Sequence, residues 1–310
     1  MDYGVNLDDH YKYLKTLIIV RIVLTAVVVI PVIFFFVKLL RTPGYRHDTT
    51  RRWVDYTTAG FGLWALVHIA LIIAWGFQIP TIDWSMRWDG GDFVRVGYRI
   101  IRTFLNIETW LTFWLHIATF LALFYMAHAL TLLRTGSEPD SSAFRKGRGF
   151  ALGGSIFAVL MSFTIFCLDM SISYTNYSSD SDAREMRRLV GTIFVLTCQA
   201  ILLVMAISSV VYSAKSRKKA RGTAVQQSGL ILVVCSSLFL VRQVWELLAL
   251  FFGGRNLTGS FMATFFVDLV FGSYLDLVIL VLLYILATKA SYSMSKVQYR
   301  SKVSTENLDA

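Results

Sequence analysis

Seven long apolar runs return along this chain, separated by short basic or polar stretches, and that recurrence restricts the fold more than any other feature. They cover residues 17–40, 54–77, 107–133, 150–174, 189–212, 228–252 and 264–288. A helix rises about 1.5 Å per residue, so roughly 20 apolar residues cross a hydrocarbon core about 30 Å thick. Backbone groups in that core must bond to one another, and runs of this length do so as helices rather than barrel strands. Only 16% of residues are charged against 55% hydrophobic, at a mean hydropathy of +0.58, which fits a soluble domain poorly. The expected fold is all-α, a polytopic membrane bundle of seven transmembrane helices over residues 17–288. Residues 1–16 form an outer N-terminal segment, and residues 289–310 form a basic, Ser-rich cytoplasmic tail. The segment 1–16 carries Asp2, Asp8 and Asp9 and no basic leader, so the first run reads as a retained span.

Lys and Arg set the expected orientation. Eighteen of them flank the ends that would face the cytoplasm, against ten on the other flanks, which places the N-terminus outside and the C-terminus in the cytoplasm. The sequons at Asn176 (Asn-Tyr-Ser) and Asn256 (Asn-Leu-Thr) both fall in loops that this count puts outside, which makes both asparagines glycosylation candidates. The net charge of +10 is thus a matter of topology and anionic lipid, not of nucleic acid, for which no basic domain free of the bilayer exists. Lys215, Arg217, Lys218, Lys219 and Arg221 form the densest basic loop, a candidate surface for anionic lipid or a cytoplasmic signalling partner.

Charges inside a bilayer cost at least about 2.5–3.5 kcal/mol each on insertion scales, so each needs a reason. Arg21, Asp169, Glu246 and Asp268 fall about four to six residues in from the expected outer end, roughly 6–9 Å deep. His68, His116, Arg242 and Asp276 fall near mid-membrane. Arg242 and Glu246 are one helical turn apart, and Asp276 on the last run has a depth similar to Arg242, so an Arg242–Asp276 pair is expected. These eight residues are the ligand-pocket or structural ion-pair candidates. Two arginines face four carboxylates among them, so one or two carboxyls should be protonated or meet a cationic ligand unless water enters.

Other features have plainer readings. After Gly90 and Gly91, residues 93–105 place Arg95, Arg99 and Arg102 within about 60° of one helical face. That suits either an interfacial helix or extra turns on the third span. Gly154, Ala158 and Ser162 form a small-residue stripe on the fourth span, and Gly149 and Gly153 a G-x-x-x-G at its start. Such a stripe serves close packing inside the bundle or a homodimer. Cys167, Cys198 and Cys235 all lie in apolar runs and read as small buried hydrophobes. Pro31 should kink the first span. A zinc hydrolase would draw on His68, His116 and Asp169, but no His-x-x-x-His occurs, so neither an enzyme nor a metal or other cofactor is expected.

Seven helices, an outside N-terminus and a basic third cytoplasmic loop look like a G-protein-coupled receptor, but the local motifs of the rhodopsin-like class are missing. The third span ends Ala129-Leu130-Thr131-Leu132-Leu133-Arg134 and the seventh has Asp276-Leu277-Val278-Ile279-Leu280. Arg242, Glu246 and the triplet Tyr274-Leu275-Asp276 resemble fungal seven-transmembrane families, the lipid-translocating-exporter-like group and the orphan receptor-like proteins related to it. The Arg-to-Glu spacing and the triplet depart from that group's pattern, and the resemblance covers roughly residues 238–285, so it transfers no activity. The expected function is that of an orphan receptor-like integral membrane protein of the plasma membrane or an endomembrane, with an outward-facing polar pocket. A lipid-handling transporter or floppase-like protein and a membrane scaffold without a small ligand are the alternatives.

Overall fold

The computed structural model describes residues 7–41, 52–85, 91–135, 142–174, 181–220, 222, 225–252 and 267–288. Seven helices account for almost all of them: α1 (Leu7–Arg41), α2 (Arg52–Ser85), α3 (Gly91–Thr135), α4 (Ser142–Tyr174), α5 (Ser181–Ala220), α6 (Gln226–Phe252) and α7 (Leu269–Thr288). All seven are long and apolar enough to cross a membrane, and no strand occurs among the described residues. The chain is therefore an all-helical integral membrane protein. Asn176, Asn256, Arg221 and the tail 289–310 lie outside the described residues.

Several helices outrun the apolar runs that announce them. The outer loop expected at 78–106 shrinks, because α2 continues to Ser85 and α3 begins at Gly91. Residues 93–105 are the first turns of α3, continuous with its span, and not a separate interfacial helix. At 45 residues α3 is about 68 Å long, more than twice the hydrocarbon thickness. The extensions pack on each other: a Cβ added at Gly97 would overlap the Thr81 side chain, so the two backbones approach closely there. Lys215, Arg217, Lys218 and Lys219 likewise belong to the last turns of α5 rather than to a loop, and all four are exposed. Nothing in that stretch breaks a helix, and cations suit a helix C-terminus. The turn comes at Gly222, whose φ of +75° favours glycine, and its N–H donates to Gln226 Oε1 at 3.0 Å. Pro31 lies inside α1, and Pro80 inside the extension of α2.

Consecutive helices run antiparallel, as contacts at both ends show. The start of α1 meets the end of α2 through the Lys15–Asp83 ion pair, and the start of α7 through Arg21 and Asp268. Thr103 near the start of α3 bonds Tyr174 at the end of α4 (2.9 Å), and Arg187 near the start of α5 donates to Ser171 of α4 (3.0 Å). At the opposite end Phe35 of α1 packs on Tyr284 of α7, Tyr56 of α2 stacks on Tyr125 of α3, and Phe124 stacks on Tyr212 of α5. The end where α1 starts is called the near end below, and the other the far end.

Helix α3 is the central element, packed on α2, α4, α5 and α6. Its far half contributes Phe120, Leu123, Met126 and Leu130 to the main core, where they meet Leu202 and Met205 of α5, Leu232 and Phe239 of α6, and Ile279 and Leu283 of α7. A second cluster joins α1, α2 and α7 around Phe61, Trp64 and Leu280. Gly60 permits that approach, since a Cβ there would lie 2.7 Å from Leu280 Cδ2. The outward faces are apolar as well: Val27, Ile30 and Phe34 on α1 and Ile156, Leu160 and Phe163 on α4 are exposed, as a lipid-facing surface requires. Gly154 lies against Met205, and the Ala158 carbonyl receives Cys198 Sγ at 3.9 Å, so this stripe serves packing of α4 on α5. Gly149 and Gly153 have open space in front of them. Cys198 and Cys235 are buried, whereas Cys167 faces outward from α4.

Candidate functional site

Arg242 and Asp276 are the two fully buried formal charges among the described residues, at 3% and 1% exposure. Their positions follow from helix geometry. Both lie on faces that α6 and α7 turn toward each other, and the flanking positions are the core residues Phe239 and Ile279. Arg242 Nε donates to Asp276 Oδ2 at 3.0 Å. One turn along α6, Glu246 Oε1 lies 2.6 Å from the Arg242 guanidinium. From α3, His116 places Nε2 3.4 Å from the same Asp276 oxygen, and its ring meets Phe239 edge-on. A buried arginine is thus shared between two carboxylates, with a histidine on the far side of one of them.

Four more groups extend this centre toward the near end. His68 of α2 stacks on Trp64 (ring centroids 3.6 Å apart), its Nδ1 lies 2.8 Å from the Trp64 carbonyl, and it is in electrostatic range of Asp276, Arg242 and Arg21. Arg21 of α1 pairs with Asp268 at 3.3 Å and lies over the Trp75 ring at 4.3 Å. Glu108 of α3 accepts bonds from Thr109 (3.3 Å) and Thr112 (3.2 Å), and interacts electrostatically with Glu246, Arg242 and Arg21. Helices α1, α2, α3, α6 and α7 therefore feed one connected set of charges.

No family model matches the chain, and no curated protein or solved structure matches it.

Seven of the eight intramembrane residues singled out in the sequence join this network. Asp169 does not; it sits on α4, near Arg102 of α3 and away from the ion pairs. Glu108 takes its place in the charge count, so two arginines still face four carboxylates, Glu108, Glu246, Asp268 and Asp276. Sequence reasoning passed over Glu108 because the apolar run starts at Ile107, which made it look like an edge residue. The 17 helical residues before it in α3 place it well inside the bundle.

The start of α7 is itself unusual. Leu269–Tyr274 is a π-helical stretch, entered from Asp268 and closed where the Leu275 N–H donates to the Val270 carbonyl. The wider turn leaves carbonyls outside the regular pattern, and that of Ser273 accepts Trp64 Nε1 at 3.2 Å. This turn lies directly between Asp268 and Asp276 and fixes the spacing of the two carboxylates. Such interruptions cost regular hydrogen bonds and are frequent at functional sites.

Several atoms of the centre are buried without a hydrogen-bond partner. His116 Nε2 and Arg242 Nη1 each face a carboxylate oxygen, at 3.4 and 2.6 Å, whereas His68 Nε2, His116 Nδ1 and Asp276 Oδ1 have no ion-pair contact. Among the described residues no three His, Cys, Asp or Glu side chains are grouped as metal ligands. By contrast the polar side chains between α5 and α6 mostly bond one another, with Gln243 Nε2 left over. Gln199 Nε2 lies 3.1 Å from both the carbonyl and Oε1 of Gln243, and Ser236 bonds Ser209 (3.1 Å) and Ser213 (2.7 Å).

Proposed function

We propose that this chain is a receptor-like seven-helix membrane protein whose ligand pocket is the polar centre between α1, α2, α3, α6 and α7, open toward the near end. The carrying observation is that the charges converge on one half of the bundle and stop at Asp276. Below it Phe61, Phe120, Leu123, Ile279 and Leu283 are buried and apolar. A scaffold has no need to gather charges from five helices, each at a cost of several kcal/mol. A transporter needs its polar path to reach the far end in some state, and a packed apolar layer stands in that way. Arg242, Glu246 and Asp276, which carry the sequence resemblance to the fungal seven-transmembrane families, are the residues that meet. The far end, with exposed Lys215, Arg217, Lys218 and Lys219 on α5 and Arg145, Lys146 and Arg148 on α4, would face the cytoplasm and a signalling partner or anionic lipid.

The test is one-sided access. With Cys167, Cys198 and Cys235 replaced by Ala, a single Thr112→Cys beside Glu108 is challenged with a membrane-impermeant thiol reagent from either side of sealed, oriented vesicles. Reaction from the near end alone is expected. Reaction from the far end under any condition would favour a transporter, and no reaction from either side would favour a scaffold.

A further inference from the structure

We propose that the pocket takes a small primary ammonium ion, the protonated form of a primary amine, as its ligand; this rests on the receptor-like reading above and names the ligand class. The argument starts from hydrogen-bond roles. The Trp64 carbonyl can only accept, so His68 Nδ1 at 2.8 Å carries the ring proton and Nε2 holds a lone pair. That nitrogen is buried, at 4% residue exposure, and has no partner. Asp276 Oδ2 accepts from Arg242 and faces His116 Nε2 at 3.4 Å, while Oδ1 remains buried and unbonded. A carboxylate beside His116 Nε2 favours the tautomer protonated there, which leaves Nδ1 as a third unpartnered acceptor. Three acceptors without donors are costly in a low-dielectric interior, and a ligand that supplies N–H groups would remove that cost.

Charge gives the same answer independently. Glu108 and Glu246 add to Asp276 and Asp268, so counted formally the two arginines leave two negatives, which a cationic ligand or a proton on a carboxyl would offset. The ligand should therefore be a donor and a cation together. A primary ammonium has three donors, no acceptor and one positive charge; a quaternary ammonium has the charge without donors, and an alcohol offers a donor without the charge. Entry would be past Glu246, whose side chain is 31% exposed while its partner Arg242 is at 3%.

The experiment uses the full chain in neutral phosphatidylcholine nanodiscs and follows the unfolding midpoint against ethylammonium, tetramethylammonium and ethanol at matched ionic strength. Ethylammonium should raise the midpoint saturably, with an apparent affinity about tenfold or more above tetramethylammonium, and ethanol should have no saturable effect. Glu246→Gln keeps the Arg242–Asp276 pair and should weaken ethylammonium about tenfold. Glu108→Gln is the second variant, with the same expected direction, should the first not fold. Equal effects of ethylammonium and tetramethylammonium would overturn the donor argument. A flat response to all three probes would mean that water or protons satisfy the centre, and would overturn the proposal outright. Flat amine responses alongside one-sided thiol reactivity at position 112 would remove the ligand class and leave the receptor-like reading standing.

Discussion

The near and far halves of this bundle solve the same problem, filling the space between seven helices, in opposite ways. In the far half α3 presents Phe120, Leu123, Met126 and Leu130 to apolar partners from α5, α6 and α7, and the serines there bond one another. In the near half the same helices hold Glu108, His116, Arg242, Glu246 and Asp276, several with buried atoms left unbonded. Dispersion and close packing stabilise the first half without regard to what is bound. The second half has a smaller apolar cluster of Ile18, Val67, Leu71, Trp75 and Ile82, and beside it charges that are tolerable only while their partners are present. Apolar packing therefore dominates one end of the molecule and paired charges the other, with the His116–Asp276 level as the border.

The border can be tested from either side. Asp276→Asn should be the most damaging single change, costing on the order of 3 kcal/mol, because it leaves Arg242 buried beside a neutral amide. Adding Arg242→Gln to that variant should recover part of the loss. Equilibrium unfolding in micelles measures the cycle, and strictly additive losses would show that the two residues do not interact. A packing change in the far half should cost less but need no partner to explain it. Gly60→Ala pushes a methyl toward Leu280 and should destabilise by about 1–3 kcal/mol, with Leu280→Ala in the same chain relieving the overlap. An unchanged midpoint for Gly60→Ala would mean that α2 and α7 are not tightly packed at that level.

Smaller effects separate satisfied polar groups from unsatisfied ones. Gln199→Leu removes the bond to Gln243 and should cost about 0.6–1.7 kcal/mol, the range for hydrogen bonds between membrane helices. A loss as large as that of Asp276→Asn would place Gln199 in the charged network after all. Lys15→Ala breaks the pair with Asp83 at the partly exposed near end and should cost less than about 1 kcal/mol, with the difference shrinking in high salt. A salt-independent loss of several kcal/mol would extend the network to the mouth of the bundle.

What the sequence by itself determined is the architecture. Seven runs, each long enough to span, leave few alternatives, because backbone polar groups in a bilayer must be bonded within their own segment. Position along a run also placed Arg242 and Asp276 at one depth, since a helix converts residue count into distance. The ends of the helices were less legible. Apolar composition marks what lipid touches, whereas the extensions of α2, α3 and α5 stand outside that zone and are held by neighbours or by helix-forming polar residues. This is why Glu108 looked peripheral and why Lys215 to Lys219 looked like a loop. Only the tertiary structure decided which of the charges meet. Depth fixes one coordinate of a side chain, but rotation of each helix and the order of neighbours fix the other two, and both arise from packing. Asp169 has the same depth as Glu246 yet faces another helix pair, and the π-helical turn of α7 shifts the face of Asp276 in a way that no regular periodicity contains.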